Sequence, residues 1–243
     1  MRGRTRFNNG PLLGAAITAL ATLVAGAIGF SGDHTPMSQV ATRATWEALP
    51  TGSALATLDS LAIKGRAPKT GYERSQFGQA WSDDVTVAGG HNGCDTRNDI
   101  LRRDLTNIDV KPGTRGCVVL AGTLNDPYTG TAIDFQRGQG TSSAVQIDHI
   151  VALADAWQKG AQLWDAATRR NFANDPLNLQ AVDGPSNQQK GAGDAATWLP
   201  ANKAYRCTYV SRIVEVKATY NLSVTQAEHD AIARILTAGC PTP

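Results

Sequence analysis

Apolar residues fall along this chain in three kinds of pattern. Residues 11–30 form a nearly uncharged run of Leu, Ala, Val and Ile, preceded by Arg2, Arg4 and Arg6, and no later stretch is comparable. Helical spacing follows in 46–63 (Leu55, Leu58, Leu61, Ala62), in 95–105 (Ile100, Leu101, Leu105) and in 154–173 (Trp157, Ala161, Trp164, Phe172), and it predicts amphipathic helices there. β-Branched or short apolar runs at 117–124, 131–135, 144–153 and 177–182 predict strands, the first two joined as a hairpin by the turn Asp126-Pro127-Tyr128-Thr129-Gly130. Two helices are predicted at the C-terminus, 201–220 and 226–237, with Thr225 and Glu228 at the spacing of a capping box. Between 65 and 93 the chain is rich in Gly, Pro, Asp and Ser, and Tyr72, Phe77 and Trp81 are spaced as anchors for an irregular layer lying on the core.

A basic start followed by an apolar run has the form of an export signal or a membrane anchor. The run approaches the roughly 20 residues that span a bilayer, while Ala25-Gly26-Ala27 offers a small-residue cleavage site, which favours removal. The expected organisation is a leader over 1–30, a polar linker over 31–45 and a single domain over 46–243. That domain is expected outside the cytoplasm, secreted or held to the membrane through 11–30. Cys94, Cys117, Cys207 and Cys240 agree with an oxidising compartment: they are even in number, and none forms a C-x-x-C metal pair. Three disulfide connectivities are possible; Cys94–Cys117 with Cys207–Cys240 is preferred because each closes a local loop.

The formal net charge of +2 includes the three leader arginines. Without them 20 basic residues face 21 acidic ones, so bulk charge supplies no case for a nucleic-acid partner, and any phosphate attraction must be local. The chemistry concentrates instead between 148 and 190. Asp148-His149 lies in one strand-like run, Asn178 opens the next, and Asn187 with Lys190 stands three apart where a helix is predicted to begin. A hard divalent cation such as Mg²⁺, or Mn²⁺ in its place, takes oxygen ligands and keeps water in its other positions, so one carboxylate and one amide suffice: Asp148 and Asn187. An imidazole that titrates near neutrality can take a proton from water, which makes His149 the candidate general base. Asn178 can tie the turn between the strands, and Lys190 can face a phosphate as a point charge. Neighbours along a strand point to opposite faces, so a twisted or bulged strand end is expected at Asp148-His149.

In order and type, Asp148-His149-Ile150, Asn178-Leu179 and Asn187-x-x-Lys190 resemble the elements of HNH, or ββα-metal, endonucleases. More narrowly, residues 147–200 resemble the C-terminal HNH domain of GmrSD-type restriction enzymes, as found in secreted actinobacterial proteins. Gly93-Cys94-Asp95-Thr96-Arg97-Asn98-Asp99 and the run from Phe172 through Asp175-Pro176 to Leu179 are similar to that secreted group. The resemblance covers about two-thirds of the chain, from Tyr72 onward. It implies an α+β fold in which a two-stranded ribbon and a helix clasp one metal, embedded among helices and covered by a disulfide-tied N-terminal layer. It also implies hydrolysis of DNA, or of DNA and RNA, with water activated by the histidine and a 5′-phosphate product. Two departures are visible: the stretch from His149 to Asn178 exceeds the minimal motif, and the last position is Asn187 rather than His, as in many similar proteins, which favours an oxygen-loving metal over zinc.

Competing readings are few. A non-catalytic exported or envelope-attached binding protein that keeps the HNH shape is the alternative from another class, and the complete Asp-His-Asn-Asn-Lys set argues against it. Peptidase or wall-hydrolase chemistry lacks its H-E-x-x-H and its cysteine nucleophile. Arg74, Arg97, Arg169 and Arg170 are candidates for phosphate contact, whereas Trp157, Trp164 and Trp198 are expected in the core. His34, His91 and His229 are assigned no catalytic part.

Overall fold

The computed structural model describes residues 50–238 and Cys240; the leader, the linker and His34 lie outside the described residues. The secondary structure is α+β. The first helix is α1 (Thr51–Ser60), after which the chain runs irregularly, apart from one 3₁₀ turn at Arg74–Phe77, as far as α2 (Thr96–Asp104). Asp95 caps α2 by accepting from the Asn98 amide. Next come β1 (Leu105–Val110), β2 (Val119–Asn125) and β3 (Ala132–Gln136), an antiparallel sheet in the order β1-β2-β3. The β2–β3 hairpin pairs as its alternation and turn predicted. Strand β1 was not predicted: Thr106 to Asp109 are largely exposed, Asn107 has a φ of 50°, and the register with β2 shifts there. Such an edge strand is held by backbone pairing and buries little, so it leaves no period in the hydrophobic pattern.

The second sheet consists of β4 (Val145–His149) and β5 (Leu179–Asp183), antiparallel and in unbroken register from Val145↔Asp183 to His149↔Leu179. The insertion between them, predicted as one helical stretch, is two helices, α3 (Leu153–Gln158) and α4 (Ala166–Asn174). Gly160 separates them with a φ of 141°, a conformation open to glycine, and there a Cβ would already touch Leu222 at 3.4 Å. β5 leads directly into α5 (Gly184–Lys190), capped by Asp183, which accepts from the Ser186 amide, with Pro185 in its first turn. A Cβ on Gly184 would stand 2.1 Å from the Ser143 carbonyl oxygen, so only glycine lets α5 start against β4. The chain closes with α6 (Arg206–Thr219), shorter than predicted because a 3₁₀ turn at Lys203–Tyr205 precedes it, and α7 (Gln226–Thr237).

Two apolar cores lie on either side of the β4–β5 pair. One joins residues of α1, α3, α4, α6 and α7, among them Leu58, Trp157, Phe172, Ile213 and Ile232. The other joins α2 and the three-stranded sheet to Val145, Ile147, Leu179 and Ala181. Both disulfides are those preferred from loop closure: Cys94–Cys117 ties the entry of α2 to the entry of β2, and Cys207–Cys240 ties α6 to the segment after α7. Among the described residues no helix is long and apolar enough to cross a membrane.

The capping box is half made. Thr225 accepts from the Glu228 amide as predicted, but the Glu228 carboxylate turns inward and is fully buried. It pairs with Lys159 and Lys217, each at 2.7 Å, in a cluster that also holds Asp155, Asp194 and Arg66. Three cations and three carboxylates balance in charge, and the cluster joins α3, α6, α7 and the segment after α5. Breaking a buried pair leaves an unmatched ion in a low dielectric, at a cost of about 3–5 kcal/mol. Glu228→Leu should therefore lower the unfolding free energy by about that amount, far beyond the loss of a surface cap; an unchanged denaturation midpoint would show that the cluster contributes no net stability.

Candidate active site at the end of the two-stranded sheet

Period two along β4 sorts its side chains. Val145 and Ile147 enter the second core, while Gln146 and Asp148 turn toward α5. Asp148 is 4% exposed and is gripped from two sides: the Tyr128 hydroxyl donates to Oδ2 at 2.5 Å, and the Lys190 ammonium lies 2.9 Å from both carboxylate oxygens. Lys190 also donates to the His149 carbonyl at 2.8 Å. Lys190 belongs to the last turn of α5, not to a helix start as the sequence reading had it. A cation is favoured by the helix dipole at that end. Its charge is therefore accounted for by Asp148 and by the dipole, without an anionic ligand.

His149 closes β4. The unbroken register excludes the bulge anticipated between Asp148 and His149. The two side chains do diverge, yet both line one cleft. The His149 Nε2 lies 2.9 Å from the Ala173 carbonyl oxygen at the end of α4. A carbonyl can only accept, so in the neutral ring Nε2 carries the hydrogen and Nδ1 keeps the free lone pair. Burial is the main cause that moves the imidazole pKa, down to about 3; the Ala173 bond works against the shift, and Arg74 and Lys190 add to it. The base form is therefore the resting form at neutral pH, and the titration near neutrality expected from the sequence is not found, because burial disfavours the charged ring.

Asn178 is fully buried and ties the insertion together: its Oδ1 accepts from the Val151 amide at 2.8 Å, its Nδ2 faces the Val151 and Phe172 carbonyls, and its own carbonyl accepts from Ile150. Asn187, one turn before Lys190 on the same face of α5, donates through Nδ2 to Gln146 Oε1 at 2.9 Å, which leaves Oδ1 as its free acceptor end. Asp148, His149 and Asn187 border one cleft of about 340 Å³, with Lys69, Tyr72 and Arg74 of the irregular layer on its rim. The structure thus brings those three predicted residues together, and it sets Lys190 and Asn178 behind them.

The four candidate arginines separate. Only Arg74 lies on the cleft; Arg97 is half-buried beside the Val145 carbonyl, Arg169 bonds to the Gln76 and Trp164 carbonyls, and Arg170 pairs with Asp84. Two side chains of the site had no signal in the sequence reading. Tyr128 reads in the sequence as a turn residue only, yet it is fully buried on Asp148, and its hydroxyl pKa is pushed well up, first by burial and then by that carboxylate, so it remains a donor. Trp81 lies with its ring plane 13° from that of His149 and their centroids 6.2 Å apart. His91 and His229 lie apart from the cleft, near Asp84 and Asp59 respectively.

An antiparallel pair followed by a capped helix, with Asp, His and Asn converging on one cleft, is a ββα arrangement. The chain belongs to the family described as "GmrSD restriction endonucleases, C-terminal domain", which it matches over residues 95–235. It is also 37% identical, over 191 residues, to an "Uncharacterized secreted protein" of Arthroderma benhamiae; the match covers 77% of this chain and 86% of that one. No solved structure matches.

The buried neutral imidazole makes stability depend on pH with a definite sign. Below about 6.5 the unfolded chain takes up a proton that His149 in the folded chain refuses until about pH 3. Its stabilising contribution is thus complete above pH 6.5 and is lost as pH falls, by at most ~1.4 kcal/mol per unit. Comparing wild type with His149→Leu, unfolding free energies should converge between pH 7 and pH 4; parallel curves would mean that the ring is not held neutral.

Proposed function

We propose that the domain is an exported, metal-dependent endonuclease that hydrolyses phosphodiester bonds of DNA, with RNA as a second possible substrate. The observation that carries this is the single cleft lined by Asp148, Asn187 and His149, whose ring is oriented by the Ala173 carbonyl. Membership of a restriction-endonuclease domain family supports the reaction class. Export rests on the two disulfides and on the secreted description of the Arthroderma protein.

The donor set fits a hard divalent cation. One carboxylate and one amide oxygen leave positions for water and phosphate, as Mg²⁺ or Mn²⁺ requires. Among the described residues no group of three His, Cys, Asp or Glu side chains is gathered as zinc would need. Asp148 and Asn187 would hold the ion, which when bound supplies positive charge to a phosphate whose oxygens become more negative during attack.

The chain's own residues do the rest. The Nδ1 lone pair of His149 takes the proton of a water molecule as its oxygen bonds to phosphorus, and the bond from phosphorus to the 3′ oxygen breaks, leaving a 5′-phosphate; solvent returns a proton to the 3′ oxygen. Lys190 and Tyr128 keep the Asp148 carboxylate in one orientation, so the ligand is set before substrate arrives. Arg74 and Lys69 on the rim give this nearly neutral domain the local positive charge that a phosphate needs.

Plasmid incubated with the mature protein and Mg²⁺ or Mn²⁺ should be nicked, and chelator should abolish nicking. His149→Ala should lose about 10²–10⁴-fold in rate, the usual contribution of a general base. A His149→Ala protein that digests plasmid as fast as wild type would remove His149 from the mechanism, and an inert wild type that binds DNA would favour the binding-protein reading.

Tyr128→Phe separates positioning from folding. It deletes one charge-assisted hydrogen bond to a buried carboxylate, worth about 1.5–3 kcal/mol. We expect a higher requirement for Mg²⁺ at half-maximal rate along with the loss of stability; an unchanged metal titration would confine Tyr128 to a structural part.

A further inference from the structure

A second cavity, of about 240 Å³, also has His149 on its wall. It shares Arg74, His149 and Leu153 with the first cleft, so the two adjoin at these residues. Its character is different: Trp81 and Phe77 line it, with Ala173 and Asn174 behind. Trp81 and His149 offer near-parallel rings, and Arg74 adds a guanidinium, which are the groups on which flat heteroaromatic rings stack. The wall also holds an unused acceptor. Asn174 is 1% exposed, its Nδ2 donates to the Arg170 carbonyl, and its Oδ1 has no hydrogen-bond partner among the described residues. Unpaired buried polar atoms are few in native proteins, so this one marks the Asn174 side of the cavity as a place where a donor is wanting.

We propose that this cavity takes one nucleobase of the strand being cut, next to the scissile phosphate, with Trp81 as the stacking surface and Asn174 accepting from the base edge. The proposal rests on the nuclease reading above. Size points to a single ring system, since drug-sized ligands occupy about 300–1,000 Å³. The mix points to a base rather than to a lipid or an aliphatic side chain, because two π faces, a guanidinium and a buried acceptor suit a flat, polar-edged ring. Trp81 is also held firmly: its φ is 59°, a region bulky residues rarely adopt, and its carbonyl accepts from the Thr96 amide at the start of α2. A base that enters such a cavity has left its helical stack, so the preferred substrate is single-stranded nucleic acid rather than an intact duplex.

The test uses the whole mature protein and two probes, a short single-stranded thymidine oligonucleotide and the same backbone without bases. Binding is measured by fluorescence anisotropy in chelator, and initial cleavage rates are measured in Mn²⁺. Wild type should bind the thymidine strand roughly tenfold or more tighter than the abasic one, the scale of base–aromatic stacking. Trp81→Ala should erase that preference, and Trp81→Phe should retain most of it while showing that the fold tolerates a change there. Equal affinity and equal cleavage of both strands by wild type would overturn the base pocket and leave the nuclease standing. A base preference in binding without cleavage of either strand would do the reverse.

Discussion

The Asp148 carboxylate is the constraint around which this domain is arranged. A carboxylate that is 4% exposed is tolerated only if its charge is matched and its oxygens are hydrogen-bonded, and the partners come from distant parts of the chain. Lys190 arrives on α5, and Tyr128 on the turn between β2 and β3. Asp126 secures that turn by accepting from the Asp183 amide with one carboxylate oxygen and from Thr129 with the other. Matching Asp148 thus docks the hairpin turn, β4, β5 and α5 onto one another.

The same device recurs beneath the site at larger scale. Lys159, Lys217 and Arg66 face Asp155, Asp194 and Glu228, and Asp194 lies only four residues after Lys190. Two guanidiniums, from Arg103 and Arg212, converge on the carbonyls of Pro176 and Leu179 where β5 begins. A ribbon of two short strands has too little apolar area to hold itself in place. Directional charged contacts at its ends, with an apolar core on each side, supply the rigidity that a site needs if a proton and a phosphate are to meet within about half an ångström.

His149 illustrates how one residue can join two environments. Its Nε2 is fixed by a backbone carbonyl, and its ring lines both the cleft that holds Asp148 and Asn187 and the cavity that holds Phe77 and Trp81. Burial keeps it neutral. The irregular layer between α1 and α2 supplies both Arg74 on the polar side and Trp81 on the apolar side, so this segment, which lacks sheet or long helix, completes the site instead of merely covering it.

Much of this was legible in the residues alone. Periodicity located the strands except β1 and the helices except α5, with α3 and α4 merged into one; loop closure picked out both disulfides, and Asp148, His149 and Asn187 do line one cleft. Those features are local, or are types of side chain whose chemistry is the same wherever they stand. What only the tertiary structure decided is who meets whom: Tyr128 on Asp148, Lys190 at a helix end and turned inward, Glu228 in a buried charge cluster instead of a cap, Trp81 beside His149. Each of these contacts except Lys190–Asp148 lacks any motif, and all join segments far apart in sequence. Their geometry is set by packing two cores around a short ribbon, which no spacing along the chain encodes.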